Sequence, residues 1–103
     1  MADAMLSRLN SMLADSTPVL IEFYADWCPH CRRMMPVVAE LRAEIGEAAN
    51  IVQIEGEEHP EIMDQFGVDS FPTFVLVKDG REMWRDSGEM SLEQLTDTIR
   101  QYA

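Results

Sequence analysis

The sequence contains few cysteines, few basic residues and no long apolar run. Only two of its 103 residues are cysteines, which favours a catalytic or redox-sensing pair over a structural staple. Nineteen acidic residues against eight Lys and Arg give a formal charge of −11. Nucleic acid and anionic membrane surfaces would be repelled and are not expected partners; the acidity serves solubility or a preference for basic partner surfaces. No apolar stretch approaches the roughly 18 residues that a membrane span requires.

The N-terminal segment, residues 1–16, has no continuous apolar core of the kind a secretory signal needs, because Asp3 and Arg8 interrupt it. We therefore expect a cytoplasmic protein. A mature exported protein that had lost its signal would look similar, although the starting Met1 argues against that. The length suffices for one hydrophobic core and not for a second lobe, so a single domain over residues 1–103 is predicted.

Hydrophobic periodicity predicts an α/β chain with the element order helix, strand, helix, strand, helix, strand, strand, helix. Helices are predicted at residues 1–14, 29–46 and 60–66, and a last helix contains Leu92, Leu95 and Ile99 after a capping box at Ser91 and Gln94. Strands are predicted at residues 19–24, 51–54, 73–77 and 81–86. The first two strands flank a helix and should be parallel, whereas Asp79-Gly80 predicts a hairpin between the last two. The expected fold is a four-stranded mixed sheet with helices on both faces.

The two cysteines stand in the run Trp27-Cys28-Pro29-His30-Cys31, between a predicted strand and a predicted helix. A C-x-x-C in this position of a cysteine-poor chain predicts a dithiol/disulfide centre. The start of a helix stabilises a thiolate, so Cys28 is the candidate nucleophile and is expected to be accessible. Cys31, one turn on and expected to be more buried, would resolve the mixed disulfide.

A metal site is the alternative interpretation of the cysteine pair. A structural zinc ion requires four ligands, and beyond the two cysteines the chain offers only His30 and His59. The eight methionines fall mostly on apolar helix faces, where core packing explains them better than a metal site. No metal and no bound cofactor are therefore expected.

Further features around the cysteine pair resemble the thioredoxin family. They are the segment Phe23-Tyr24-Ala25-Asp26-Trp27-Cys28-x-x-Cys31, Pro36 at the position of a helix-kinking proline, Phe71-Pro72-Thr73 at that of the cis-proline loop, and Gly80 and Gly88. The resemblance covers residues 18–101. It implies a thioredoxin fold.

The sequence also departs from the family pattern. Pro29-His30 replaces the usual Gly-Pro and is similar to the dipeptide of bacterial periplasmic disulfide oxidases, which carry an inserted helical domain that this chain lacks. Glu22 falls at the position of the family's buried aspartate, and the uncharged Gln53 at that of its lysine partner. The N-terminal strand of full-length thioredoxins has no counterpart, because residues 1–14 are predicted to be helical.

The resemblance implies a substrate-binding surface around the nucleophile. Pro72 would form a cis peptide bond and pack over the disulfide, and Phe71 would offer its backbone to an extended substrate. Trp27, Phe71 and Gly88 are expected to form an apolar docking surface around Cys28. An ordinary strand-edge proline is the alternative for Pro72.

Two titratable side chains are candidates for tuning the cysteines. The Pro29-His30 dipeptide places an imidazole beside Cys28, where a positive charge or an N–H donor would favour the thiolate and make the disulfide a stronger oxidant. Glu22 lies in an apolar strand that should raise its pKa, so it could accept the proton of Cys31. The alternatives are a solvent-exposed ring with little effect and a strand-end acid that reaches water.

The resemblance implies a monomeric thiol–disulfide oxidoreductase that reduces disulfide-containing protein substrates through Cys28 and Cys31. A flavin-containing thioredoxin reductase would re-reduce it. A disulfide oxidase or isomerase, suggested by Pro29-His30, and a glutaredoxin-like enzyme are the alternatives within the enzyme class. Outside that class, the chain could be a thioredoxin-fold binding module or a metal-binding domain.

Overall fold

Within residues 3–103, which the computed structural model of the protein describes, four strands form one sheet that α-helices cover on both faces. In chain order the elements are α1 (Asp3–Leu13), β1 (Val19–Tyr24), α2 (Pro29–Ile45), β2 (Asn50–Glu55), α3 (Pro60–Phe66), β3 (Thr73–Lys78), β4 (Arg81–Ser87) and α4 (Leu92–Tyr102), with a 3-10 turn at Gly46–Ala48. The predicted element order is confirmed. The predicted start of the first helix at residues 1 and 2 lies outside the described residues.

The sheet has the strand order β2-β1-β3-β4. β1 pairs in parallel with β2 and antiparallel with β3, and β3 pairs antiparallel with β4. The crossover through α2 makes the first pair parallel, and Asp79 and Gly80, both at positive φ (53° and 74°), form the tight turn of the hairpin. The mixed sheet inferred from the sequence is confirmed. No strand precedes α1 within the described residues.

Each face of the sheet carries its own hydrophobic core, because side chains alternate along a strand. Leu20 of β1 packs with α2 and α4, whereas Val19, Ile21 and Phe23 pack with α1 and α3. Glu22 shares the parity of Leu20. Its carboxyl group therefore points into the core beneath α2 and is the one charged side chain of β1.

The helix ends follow from local sequence. α4 begins with the predicted capping box, in which the Gln94 N–H donates to Ser91 Oγ (3.1 Å) and the Ser91 N–H donates to Gln94 Oε1 (2.9 Å). α2 begins at Pro29 and ends before Gly46, whose φ is 55°. Within residues 3–103 no helix is both long and apolar enough to cross a membrane.

Candidate active site

The cysteine pair lies where β1 gives way to α2. Cys28 is the N-cap residue of α2, with extended backbone (φ −82°, ψ 118°), and Pro29 is the first helical residue. Both cysteines are reduced and buried, with 4% of Cys28 and 2% of Cys31 exposed. The expected accessibility of Cys28 is therefore wrong: Phe71 packs against the cysteine pair, and its carbonyl oxygen lies 3.9 Å from Cys28 Sγ.

The two thiols differ in their electrostatic surroundings. Burial acts to raise the pKa of Cys28, yet backbone N–H groups of Cys31 and His30, the Cys31 side chain and the Arg33 charge lower it below its ordinary value. The free N–H groups of a helix start provide this stabilisation of a thiolate. Burial, joined by the neighbouring Cys28 and Glu22, raises the pKa of Cys31 to about 12. The two cysteines therefore differ in pKa and not in solvent exposure, since both are buried.

Glu22 is fully buried on the α2 side of β1. Its Oε1 accepts a hydrogen bond from Gln53 Nε2 at 2.9 Å, and its Oε2 has no hydrogen-bond partner among the described residues. Burial raises the pKa of Glu22, against smaller opposing effects of Gln53 and the Arg42 charge. The prediction of a raised pKa is confirmed, and the alternative of an acid that reaches water is wrong in this structure.

Gln53 does not leave the carboxyl group without a cation nearby. Arg42 of α2 donates to Gln53 Oε1 at 3.2 Å and to the Ile51 carbonyl at 2.8 Å. The amide of Gln53 thus links the Arg42 guanidinium to Glu22. No sequence pattern distinguishes Arg42 from the other charged residues along α2.

His30 points to a partner that the sequence did not suggest. Its Nδ1 lies 2.7 Å from Glu89 Oε2 and 2.9 Å from an Arg33 guanidinium nitrogen. Of the groups of His30, the backbone N–H and not the imidazole is among the hydrogen bonds that lower the pKa of Cys28. The expectation that the imidazole itself bonds the sulfur is therefore not met.

The predicted docking residues surround Cys28. Trp27 is 58% exposed, and its ring stands edge-on to that of Phe71, with centroids 6.4 Å apart. The Phe71–Pro72 peptide bond is cis, as the resemblance implied. The Phe71 carbonyl oxygen lies 3.9 Å from Cys28 Sγ, and the Gly88 N–H donates to the Pro72 carbonyl at 2.9 Å. The structure therefore brings all four predicted surface residues together.

Two further residues fix this surface, and no sequence pattern pointed to either. Glu57 accepts a hydrogen bond from Trp27 Nε1 at 2.9 Å. Gly56 lies against the Phe71 ring, where an added Cβ would stand 2.5 Å from Cε1.

A cleft of about 140 Å³ also reaches Cys31, between Tyr24, Arg32 and Met35. No three metal-binding side chains converge anywhere in the part of the chain that the structure describes.

A reactive thiol at a helix start, a second thiol one turn on and a facing cis-proline loop define a dithiol protein of the thioredoxin fold. The thioredoxin family model matches residues 4–101. A thioredoxin of Listeria monocytogenes is 40% identical over 82% of this chain and 82% of its own length. The chain belongs to the thioredoxin family.

The remaining comparisons agree with this assignment. A crystal structure of a thioredoxin from Nicotiana alata superposes with a TM-score of 0.88 at 27% identity, over 99% of this chain and 87% of that one. A Fasciola hepatica thioredoxin gives 0.86 at 30% identity, over 98% and 94%. Chloroplast thioredoxin Y2 of Arabidopsis thaliana is 34% identical over 80% of this chain, which spans about half the length (49%) of that relative.

Proposed function

We propose that the protein is a thiol–disulfide oxidoreductase that reduces disulfide bonds in protein substrates. The observation that carries the proposal is the opposite perturbation of two adjacent thiols, since the pKa of Cys28 is lowered and that of Cys31 is raised to about 12. A thiolate is the attacking species in disulfide exchange. The first thiol is thus prepared for attack while the second is held protonated until it is needed.

The reaction proceeds in two exchanges. The Cys28 thiolate attacks one sulfur of the substrate disulfide, forms a mixed disulfide and releases the other substrate sulfur as a thiolate. Cys31 then loses its proton and attacks Cys28 Sγ, which releases the second substrate thiol and leaves a Cys28–Cys31 disulfide. Two electrons pass to the substrate. An external reductant must return them, and we assign this role to a flavin-dependent thioredoxin reductase.

Glu22 is the proposed acceptor of the Cys31 proton. Its buried carboxyl group has a raised pKa, and its ionised form raises the pKa of Cys31, so the two groups interact. A carboxylate of raised pKa is a stronger base than an ordinary one. Oε2 has no hydrogen-bond partner within residues 3–103 and can take a proton, while Gln53 holds Oε1.

The docking surface supports a protein substrate. Trp27 and Phe71 offer apolar rings beside Cys28, and the partly exposed Phe71, before cis-Pro72, can offer its backbone to an extended chain. Gly88 leaves the entrance free of a side chain. We further propose that the chain acts as a cytoplasmic monomer folded as one domain.

The pattern of matches favours the reductive direction over the oxidase or isomerase alternatives, since the relatives named above are thioredoxins.

The proposal is tested by insulin disulfide reduction with dithiothreitol as electron donor. The unsubstituted protein should accelerate insulin precipitation, and Cys28→Ser should abolish the acceleration because no nucleophile remains. Cys31→Ser should form a mixed disulfide with the substrate that persists until added thiol releases it, visible by non-reducing electrophoresis. Trapping by Cys28→Ser instead would reverse the assigned roles, and an inactive unsubstituted protein would refute the function.

A further inference from the structure

Three charged or titratable side chains meet beside the Cys28 end of α2. His30 and Arg33 lie on α2, and Glu89 follows Gly88 in the loop that joins β4 to α4. Glu89 Oε2 lies 2.7 Å from His30 Nδ1 and 2.8 Å from an Arg33 guanidinium nitrogen, and Arg33 Nε donates to the same oxygen at 2.9 Å. One carboxylate oxygen therefore faces both the Arg33 guanidinium and the His30 imidazole.

The cluster is electrostatically connected to the reactive thiol. The hydrogen bond and charge of Glu89 raise the pKa of Arg33, and the charge of Cys28 adds to this effect. In turn, the positive charge of Arg33 joins the backbone hydrogen bonds in lowering the pKa of Cys28 against the effect of burial. Hydrogen bonds from Arg33 and His30 hold the pKa of Glu89 at about 2, so this carboxylate stays ionised at any physiological pH. A permanent negative charge thus stands next to the Arg33 guanidinium, whose positive charge would otherwise act on the thiolate undiminished.

We propose that Glu89 is a positioning residue that sets the redox potential of the Cys28–Cys31 couple by neutralising the charge of Arg33 and holding the His30 ring beside it. The inference rests on the proposed function and deepens it. The Cys28 thiolate exists only in the reduced form, so positive charge near it favours reduction of the disulfide. Glu89 opposes that effect and keeps the protein more reducing than its Pro29-His30 dipeptide alone would make it.

The test is equilibration of Glu89→Gln with glutathione redox buffers. Two glutathione thiols reduce the protein disulfide to the dithiol while they are oxidised to one glutathione disulfide. The equilibrium constant for this reduction should rise by about two- to fivefold, the range that exposed charge pairs span. The Cys28 pKa, measured from the pH dependence of iodoacetamide alkylation, should fall in the variant.

Glu93→Gln is the matched control, because it removes the same charge from the first turn of α4, where Glu93 lines a separate cleft with Glu44 and Arg100. It should leave the equilibrium constant and the Cys28 pKa unchanged. Equal shifts in both variants would mean that only net charge matters, and would overturn the inference.

A double variant that lacks both partners of Glu89 separates the effect of these contacts from a direct effect of the carboxylate on Cys28. In a protein carrying His30→Asn and Arg33→Gln, the further change Glu89→Gln should have little effect, since no Arg33 charge remains to be released. An undiminished shift in that background, or no shift in the single variant, overturns the role of Glu89 while leaving the proposed function standing. Failure of the unsubstituted protein to form the disulfide couple would instead refute the function, and this inference with it.

Discussion

At the scale of single residues, Glu22 is the group most out of place in its surroundings. Its side chain is fully buried in the core beneath α2, with one oxygen bonded to Gln53 and the other without a partner among the described residues. Because an ionised carboxylate is costly to bury, this residue lowers the stability of the fold at neutral pH. We interpret that loss as the consequence of placing a base close to Cys31.

The buried carboxyl group of Glu22 should make the stability of the protein depend on pH. Burial raises the pKa of Glu22 in the folded protein above the ordinary value of 4.5 that applies to the unfolded chain. The native state therefore binds more protons than the unfolded state in the window between the two values. The contribution of Glu22 to the free energy of unfolding is complete below its pKa in the unfolded chain. It is lost as the pH rises through its higher pKa in the folded protein.

Glu22→Gln should remove this loss and stabilise the protein at pH 8 by on the order of 1 kcal/mol or more. Urea unfolding between pH 4 and pH 8 measures the effect, with the exposed Glu40→Gln as control. The same variant should slow release of the mixed disulfide more than its formation, since only release moves the Cys31 proton. Stability that falls with pH as steeply as before would show that Glu22 is not the group responsible.

At the scale of elements, the site depends on the close approach of the end of β2 to the cis-proline loop. Gly56 follows β2, and its N–H donates to the Tyr24 carbonyl at 2.8 Å, which fixes its position beside the cysteine segment. The absence of a side chain lets the Phe71 ring lie against its backbone. The same ring stands edge-on to Trp27.

Gly56→Ala should therefore disturb the docking surface. Its Cβ would stand 2.5 Å from Phe71 Cε1 and 2.7 Å from Met63 Sδ, so the aromatic ring must shift. We expect a stability loss of about 1–3 kcal/mol from overpacking and a several-fold rise in KM for insulin. Gly67→Ala is the control, because it strains a positive φ (63°) at the end of α3 with open space around it. It should lose stability without a change in KM; a rise in both variants would mean that destabilisation alone explains the effect.

Elements whose cause is local could be predicted from the sequence, and contacts between distant side chains could not. The bounds of β1, the capping box at Ser91 and the Asp79-Gly80 turn depend on neighbouring residues, and each was found as predicted. The contact of His30 with Glu89 joins residues 59 positions apart and depends on how the β4–α4 loop meets α2. No periodicity or spacing encodes such a contact.

The candidate site divides in the same way. The spacing of the two cysteines predicted the dithiol centre, and the family resemblance predicted the cis bond before Pro72. Gly56 and Arg42 were missed, because their importance lies in what they touch. Even the accessibility of Cys28 was mispredicted, since it depends on a loop 43 residues away in sequence.

At the scale of the whole molecule, the site is attached to the two central strands. β1 leads into the cysteine segment, and β3 begins directly after the cis-proline loop. Because the two strands are antiparallel, with Phe23 opposite Thr73, the end of β1 and the start of β3 lie side by side at the same end of the sheet. The outer strand β4 is exposed along most of its length, whereas β1 and β3 are buried on both faces.

This arrangement has a consequence for native-state hydrogen exchange. Amides of β1 and β3 should exchange only through global unfolding, while those on the outer edge of β4 should exchange through smaller local openings. Exchange measured by NMR against urea concentration separates the two routes, and equal protection in all four strands would contradict the expectation. The strands that carry the cysteine segment and the cis-proline loop would then be the last part of the molecule to open. Transient local opening of the outer strand would therefore leave the thiol–disulfide chemistry intact.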